Sequence, residues 1–483
     1  MIRWMKDFAV VVQDMLGRAG LEYGDVRVVR KRRESILIRN GKPETVRKGE
    51  SLGFGVRVVV DGAWGFAASY ILSRAEAERI VRLAVRVAKS SAMVQHRRVR
   101  LAPEEPRTAR WSSSYLIDPF EIPIERSVER LMQAEALLRG EPVKVSEAYY
   151  NAYKIEKVFA NSEGSLIEQT LIECGGGLAA TAVVGDNLQV RSFPDSFRGS
   201  YAMKGYEHFE SLQLAENAPK VREEVLELLR APLCPSGVTT VILDGNQLAL
   251  QIHESIGHPT ELDRVLGMEA SFAGGSFVES HMIGSLVYGS EHVNIVADAT
   301  CPGGVGSFGY DDEGVPAQRV FLIERGLFAG FLSSRETAAE LGHRSSGAMR
   351  AEGWESIPLI RMTNINLLPG DRPIEDIIAE VDHGLYLDTN RSWSIDDKRL
   401  NFQFGTERAR EIRHGKLGQV YRNPTYTGIT PEFWRACDAV ADEQSWRLHG
   451  TLNCGKGEPC QLAHVGHGCS PARFRNVRVG VLS

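Results

Sequence analysis

Residues 248–265, LALQIHESIGHPTELDRV, decide how the rest of the chain is read. They set His253, Glu254 and His258 in the pattern H-E-x-x-x-H, with Glu261 and Asp263 just beyond. Two imidazoles with a glutamate beside the first form the ligand-and-base set of zinc hydrolases. The familiar spacing is H-E-x-x-H, which puts both rings on one helical face. Here the histidines are five apart, a rotation of about 140° that turns them away from each other on a regular helix. A π-bulge or a loosened last turn would absorb the extra residue. Gly257 before His258 and Pro259 after it are residues of a helix end, so the expectation is a helix that breaks at the second histidine. The plain alternative, two helix histidines without a metal, is weakened by the intervening pattern and by a cysteine far downstream.

The chain around this stretch has 483 residues, well past the roughly 250–300 at which single cores stop growing. More than one domain is therefore expected. Apolar residues are 43% and charged residues 25%, the balance of a water-soluble globular protein. The net charge of −5 and the lack of a basic stripe beyond VRKRR at 29–33 argue against a nucleic-acid partner. No apolar run approaches the ~20 residues of a membrane span, and the N-terminal segment resembles an amphipathic helix rather than a signal peptide. Seven scattered cysteines, an odd number, point to reduced thiols and a cytoplasmic location.

In chain order, 25–31 and 34–39 alternate as two strands about a charged turn, and 51–60 and 63–69 pair around Asp61-Gly62. Residues 73–89 repeat apolar positions at helical spacing behind Ser73 as cap. Residues 90–121, with several prolines, are expected as a long surface connection. A helix near 123–139 precedes strands at 143–153, 154–161, 165–174, 178–184 and 189–193. The fold class is thus α+β, with an N-terminal α+β, sandwich-like domain over 1–231 and a strand-rich C-terminal domain over 232–483 that carries the motif helix. Long glycine-rich stretches follow the motif, as in functional loops.

A hydrolytic zinc site takes three protein ligands and keeps one position open. Glu261 is a candidate ligand or a partner to a ligand histidine. Asp311, Asp312 and Glu313 form an acidic turn that reads equally as a solvated loop. The tail TLNCGKGEPCQLAHVGHGCSPARF concentrates Cys454, Cys460, His464, His467 and Cys469 without a C-x-x-C pair. Gly455 would let Cys454 approach an ion closely, and Lys456 would favour its thiolate. Composition alone does not choose among the tail residues.

Several separated segments together resemble the TldD/PmbA group of metallopeptidases, also labelled modulators of DNA gyrase. They are WGFAA at 64–68, HESIGH at 253–258, SFGYDDEGVP at 307–316 and CGK at 454–456, with lesser matches PLIRMTN at 358–364 and VGHGC at 465–469. They run in the family order over nearly the whole chain. The resemblance implies a two-domain α+β protein that dimerises around an internal cavity, pairing with itself or with a relative that lacks the motif. It implies one Zn2+ per chain held by His253, His258 and Cys454, with Glu254 as general base, and unfolded or extended peptides as substrates. A catalytically idle scaffold or partner subunit and a zinc amidase of a small molecule are the rival readings. A DNA-binding role rests on the family label alone.

Overall fold

The computed structural model describes residues 2–270 and 274–480; residues 271–273 of the first glycine-rich stretch lie outside it. The N-terminal half contains α1 (Ile2–Arg18), β1 (Tyr23–Arg39), β2 (Lys42–Val60), β3 (Ala63–Ser69), α2 (Arg74–Ala92), β4 (Thr108–Ser112), α3 (Ile124–Ala136), β5 (Val143–Asn161), β6 (Leu166–Val184), β7 (Asn187–Phe193), β8 (Ser200–Ala202), α4 (Tyr206–Ser211) and α5 (Leu214–Arg230). Its strands form one eight-stranded sheet in the order β3-β2-β1-β5-β6-β4, with β7 and β8 also pairing β6. Ser73 caps α2 by accepting the Glu76 N–H, as its sequence predicts.

Strand alternation sorts the two faces of this sheet. Val26 and Val28 of β1 pack under α1 and α2, and Ile36 and Ile38 pack under α3 and α5. The helices therefore cover one face. The intervening residues Arg27, Val29, Lys31 and Arg33 line grooves toward the C-terminal half.

The charged turn expected near residues 31–34 is absent. Residues 23–39 are one strand, because β2 and β5 pair with it from both sides and satisfy its backbone throughout. The same two-sided pairing merges 143–153 with 154–161 in β5, and 165–174 with 178–184 in β6. The expected surface connection at 90–121 contains β4, which pairs parallel to β6.

The C-terminal half contains β9 (Gly237–Leu243), α6 (Gly245–Ile252), β10 (Ile295–Asp298), β11 (Arg319–Glu324), β12 (Leu327–Phe328), β13 (Met349–Arg350), β14 (Leu359–Ile360), β15 (Ile365–Leu367), β16 (His383–Ile395), β17 (Asn401–Arg413), β18 (Lys416–Arg422), β19 (Thr425–Ile429), β20 (Cys437–Val440), β21 (Arg447–Lys456), β22 (Gln461–Cys469) and β23 (Ala472–Val479). Strands β16, β9, β23, β19 and β17 pair in succession, and β16–β17 pairing closes the ring. Its core includes Phe402, Phe404, Tyr426, Phe433 and Phe474, in edge and stacked contacts. The fold class is α+β, as expected.

Charged clusters join the halves. Arg57 bonds Asp25 at 2.8 Å and Glu313 at 3.2 Å, and Lys157 bonds Asp312 at 2.7 Å. Arg191 of β7 reaches Glu224, Asp388 and Glu407, and Arg408 returns to Glu224 and Asp388. Buried pairs of this kind register two surfaces, since a slipped arrangement strands charge away from water. Among the described residues no helix is long and apolar enough to cross a membrane.

Candidate metal centre

Strand β9 delivers the chain into α6, and α6 runs directly into the motif at His253. One side of it is polar and buried: Gln247, Gln251 and Ser255, spaced four apart, share a face. Gln247 donates to the Tyr426 hydroxyl at 2.7 Å, that hydroxyl donates to Gln251 at 2.9 Å, and the Trp434 indole donates to Ser255 Oγ at 2.9 Å. These bonds fix the rotation of the helix against the closed sheet, and with it the direction in which the histidines leave the helix.

The five-residue spacing has its explanation in the backbone. Residues His253–Gly257 form a π turn, in which the His258 N–H bonds the His253 carbonyl, followed by a 3-10 turn at His258–Thr260. An i→i+5 bond stacks residues five apart over one another. The His253 and His258 rings lie 4.8 Å apart and perpendicular. Gly257 is there for a different reason than the helix end suggested. Its φ is −58°, open to any residue, but a Cβ on it would stand 2.3 Å from Met362 Sδ, so the glycine lets the Met362 side chain pack directly against the turn.

Cys454 arrives from β21, almost two hundred residues later. Between Thr451 and Cys454 the β21–β22 register shifts by one extra residue. Such a bulge re-aims the side chain that follows. Donor atoms of His253, His258 and Cys454 all lie within 4.8 Å of one another, and all three residues are buried. Cys454 Sγ is 3.9 Å from His258 Nε2.

The protonation states suit a cation. Burial pushes both His253 and His258 below the ordinary imidazole value, which leaves them neutral with lone pairs free. Burial alone would raise the Cys454 thiol, but Arg361 and His258 outweigh it and bring it down. The cation expected to favour this thiolate, Lys456, is engaged elsewhere. It donates to both oxygens of Asp263 at 2.8 and 2.7 Å, and to the Ile360 carbonyl at 2.8 Å. Arg361 takes that place, holding the carbonyls of Cys454 and of Gln461. Two neutral imidazoles and a thiol of lowered pKa form a donor set fit for zinc or a similar ion.

The other candidate ligands fall into supporting places. Glu261 accepts from His258 Nδ1 at 3.0 Å and from Arg264 Nε at 2.7 Å, which leaves His258 Nε2 for an ion. Burial opposes ionisation of Glu261, but Lys456, His258 and Arg264 hold its carboxyl well below the usual range. His467 Nε2 lies 2.8 Å from His253 Nδ1 and orients that ring in the same way. His464 bonds Glu173, the Cys469 thiol donates to the Gly245 carbonyl at 3.1 Å, and Cys460 is exposed. The acidic turn at 311–313 is neither solvated nor at the metal centre. Asp311 accepts the N–H groups of Glu313, Val315 and Met349, while Asp312 and Glu313 make the cross-sheet pairs described above.

Glu254 and the three donors line a pocket of about 210 Å³. Arg399 donates to Glu254 Oε2 at 2.7 Å from the turn between β16 and β17, its backbone in the left-handed region. The pocket is closed from the N-terminal half by Asp195, Phe197 and Gly199, and Asp195 bonds His449 Nδ1 at 3.0 Å. Gly450 allows this approach, since a Cβ there would stand 2.1 Å from the Tyr201 carbonyl. Arg399, Arg361 and the Gln247–Gln251–Ser255 stripe escaped the sequence reading, because their partners lie far along the chain. His467 stood among the weighed tail residues, but its place beside His253 did not follow from the sequence.

Comparison with known proteins assigns this architecture. The family model of the PmbA/TldA metallopeptidase C-terminal domain matches residues 236–481. The chain belongs to the PmbA/TldD family of metallopeptidases. Models of the family's domain 1 and central domain match residues 24–88 and 117–231. Among PmbA/TldD relatives, a metalloprotease of Methanocaldococcus jannaschii is 30% identical over 93% of this chain and 95% of its own. A metalloprotease of Synechocystis is 29% identical over 98% of both chains. The crystal structure of TldE from Thermococcus kodakarensis shares the fold with a TM-score of 0.71, at 17% identity over 98% of this chain and all of that one. A Thermotoga maritima protein described as a candidate modulator of a DNA gyrase matches with a TM-score of 0.77, at 18% identity over 99% of this chain and all of that one.

Proposed function

We propose that this chain is a zinc-dependent peptidase of unfolded or extended peptides, with His253, His258 and Cys454 as ligands and Glu254 as general base. The observation that carries the reading is the convergence of three buried donors, within 4.8 Å, in a pocket that Glu254 also lines. When bound, the ion supplies Lewis acidity to water and to a carbonyl oxygen.

The side chains do the rest. Arg399 fixes Glu254 through Oε2, and Oε1 takes the water proton and passes it to the leaving amide nitrogen. Glu261 and His467 hold the two imidazoles in the orientation that turns Nε2 toward the ion. Among the described residues, β21 pairs with β22 and with no other strand. An extended peptide laid along the pocket side of β21 finds main-chain partners there, which gives affinity with little sequence demand. A pocket of this size, closed by both halves of the chain, admits a strand and excludes a folded domain. Pairing with a second copy or with a motif-lacking relative is the assembly this reading expects.

The test is Glu254→Gln with an unstructured peptide as substrate. Zinc content should hold at one per chain while turnover falls by about 10²–10⁴. Turnover equal to that of the unaltered protein removes Glu254 from the chemistry. Turnover that survives complete removal of metal by a chelator overturns the zinc reading as a whole.

A further inference from the structure

Beside the metal pocket lies a second one, of about 390 Å³, which shares Phe197 and Asn453 with it. Asn453 precedes Cys454 directly, so the second pocket begins one residue from a proposed ligand. Its lining is cationic. Lys31 and Arg33 project from the helix-free face of β1, and Arg198 comes from the segment that closes the metal pocket. Glu352 is its one carboxylate, and it is bonded to the Leu462 N–H.

These cations differ from their neighbours on β1. Arg30 is paired with Glu50 and Glu156, and Arg39 with Glu44 and Glu147. Among the described residues Lys31, Arg33 and Arg198 take no carboxylate partner. Lys31 and Arg33 each lie 5.5 Å from the Tyr153 ring centre, and Arg198 lies 5.7 Å from that of Tyr149. Three cations face one lining carboxylate, and Glu173 behind the wall is bonded to His464, so in a chain of net charge −5 this cleft concentrates positive potential.

The turn that supplies Arg198 is strained and held. Phe197 and Arg198 have φ of 56° and 80°, a region costly for side-chain-bearing residues. The Arg198 carbonyl accepts from the Tyr201 hydroxyl at 2.9 Å, Asn151 donates to that hydroxyl at 3.0 Å, and Ser35 donates to Asn151 at 2.8 Å. A hydrogen-bonded chain from the sheet interior thus keeps Phe197 and Arg198 at the junction of the two pockets.

We propose that this second pocket is a carboxylate subsite of the peptide substrate, filled by an Asp or Glu side chain or by the peptide's own C-terminal carboxylate. This rests on the peptidase reading above. It adjoins the metal pocket at Phe197 and Asn453, so an extended peptide that crosses the metal centre would enter it within a few residues of the scissile bond. The enzyme would then prefer acidic segments while tolerating variety at the bond itself.

The experiment compares 12-residue unstructured peptides, amidated at the C-terminus, with one Glu, Gln or Lys walked through the sequence, and a matching set with a free C-terminal carboxylate. At the matching position kcat/KM for Glu should exceed that for Gln about tenfold, and the advantage should shrink between about 50 and 500 mM salt. A gain confined to the free C-terminus assigns the pocket to the terminal carboxylate instead of a side chain. Arg33→Glu and Arg198→Glu should each collapse the Glu-to-Gln ratio and favour the Lys peptide. If no peptide is cleaved, the peptidase reading fails, and the affinities of the same peptides by fluorescence anisotropy still decide the subsite. Equal values for Glu, Gln and Lys at every position in both assays overturn it. So does displacement of all peptides alike by a short single-stranded oligonucleotide, which reassigns the cations to nucleic acid.

Discussion

Arg399 Nη1 donates to Glu254 Oε2 at 2.7 Å, joining a turn between two strands of the closed sheet to the acid beside the first motif histidine. The two residues lie 145 positions apart. The guanidinium fixes one carboxylate oxygen and holds charge beside the pocket where a peptide carbonyl would develop it. Arg399→Ala should lower kcat/KM by about 10–100-fold, the scale of losing one pre-set charged donor. Arg399→Lys should recover part of that loss, and zinc content should stay at one per chain in both. Steady-state kinetics beside metal analysis checks this, and full activity in the Ala variant would dismiss the pairing as incidental.

His467 acts on the centre through His253. Burial, followed by the neighbouring His253, pushes its imidazole well below the ordinary value, so the hydrogen bond joins two neutral rings. Losing such a partner weakens metal binding by about 10–100-fold. His467→Ala should show that drop in competition with a chromogenic chelator, while Cys460→Ala, at an exposed position, should show none. Equal affinities for His467→Ala and the unaltered protein would contradict the orienting role.

Lys456 is fully buried and bonded to both oxygens of Asp263. Lys456→Met leaves a buried carboxylate without its cation, a change worth about 3–5 kcal/mol of stability. Adding Asp263→Leu should return much of that loss, because two apolar residues then replace the pair. Denaturant melts of the single and double variants would show the difference, and a single variant as stable as the parent would refute the argument.

Glu407 gives the stability profile a sign. Burial, opposed by Arg191 and by hydrogen bonds from Ser192, pushes its carboxyl up to about 7 from an ordinary 4.5. Between pH 4.5 and 7 the native state therefore holds a proton that the unfolded chain does not. Stability contributed by this group falls as pH rises through that window, and above it the buried charge remains a fixed cost. In Glu407→Gln the melting temperature, measured with chelator present, should change less between pH 5 and 8 than in the parent. A steeper dependence in the variant would reverse the assignment.

Much of this was legible from residues alone where the relevant interactions are local. Ser73 capping its helix and the loosened turn between the two motif histidines depend on neighbours a few positions away, although the regular helix ends at Ile252, earlier than the expected break at the second histidine. The turn expected within residues 25–39 failed for the opposite reason. Four adjacent cations, Arg30 to Arg33, look like a turn until two partner strands, supplied from elsewhere, pair both edges of β1. The acidic turn at 311–313 failed likewise, since its neutralising cations, Arg57 and Lys157, lie on the N-terminal sheet.

By itself the sequence determined that the H-E-x-x-x-H segment needs a break in its helix, because five residues do not fit a regular turn. It also determined the α+β class and, through separated motifs, the family. The tertiary structure alone decided that the break is a π turn, that Gly257 serves packing against Met362, and that Arg361 rather than Lys456 faces Cys454. It alone decided that Arg399 holds Glu254. The reason is physical: backbone periodicity is written in adjacent residues, whereas buried charges find partners by proximity in space, which a linear pattern does not encode.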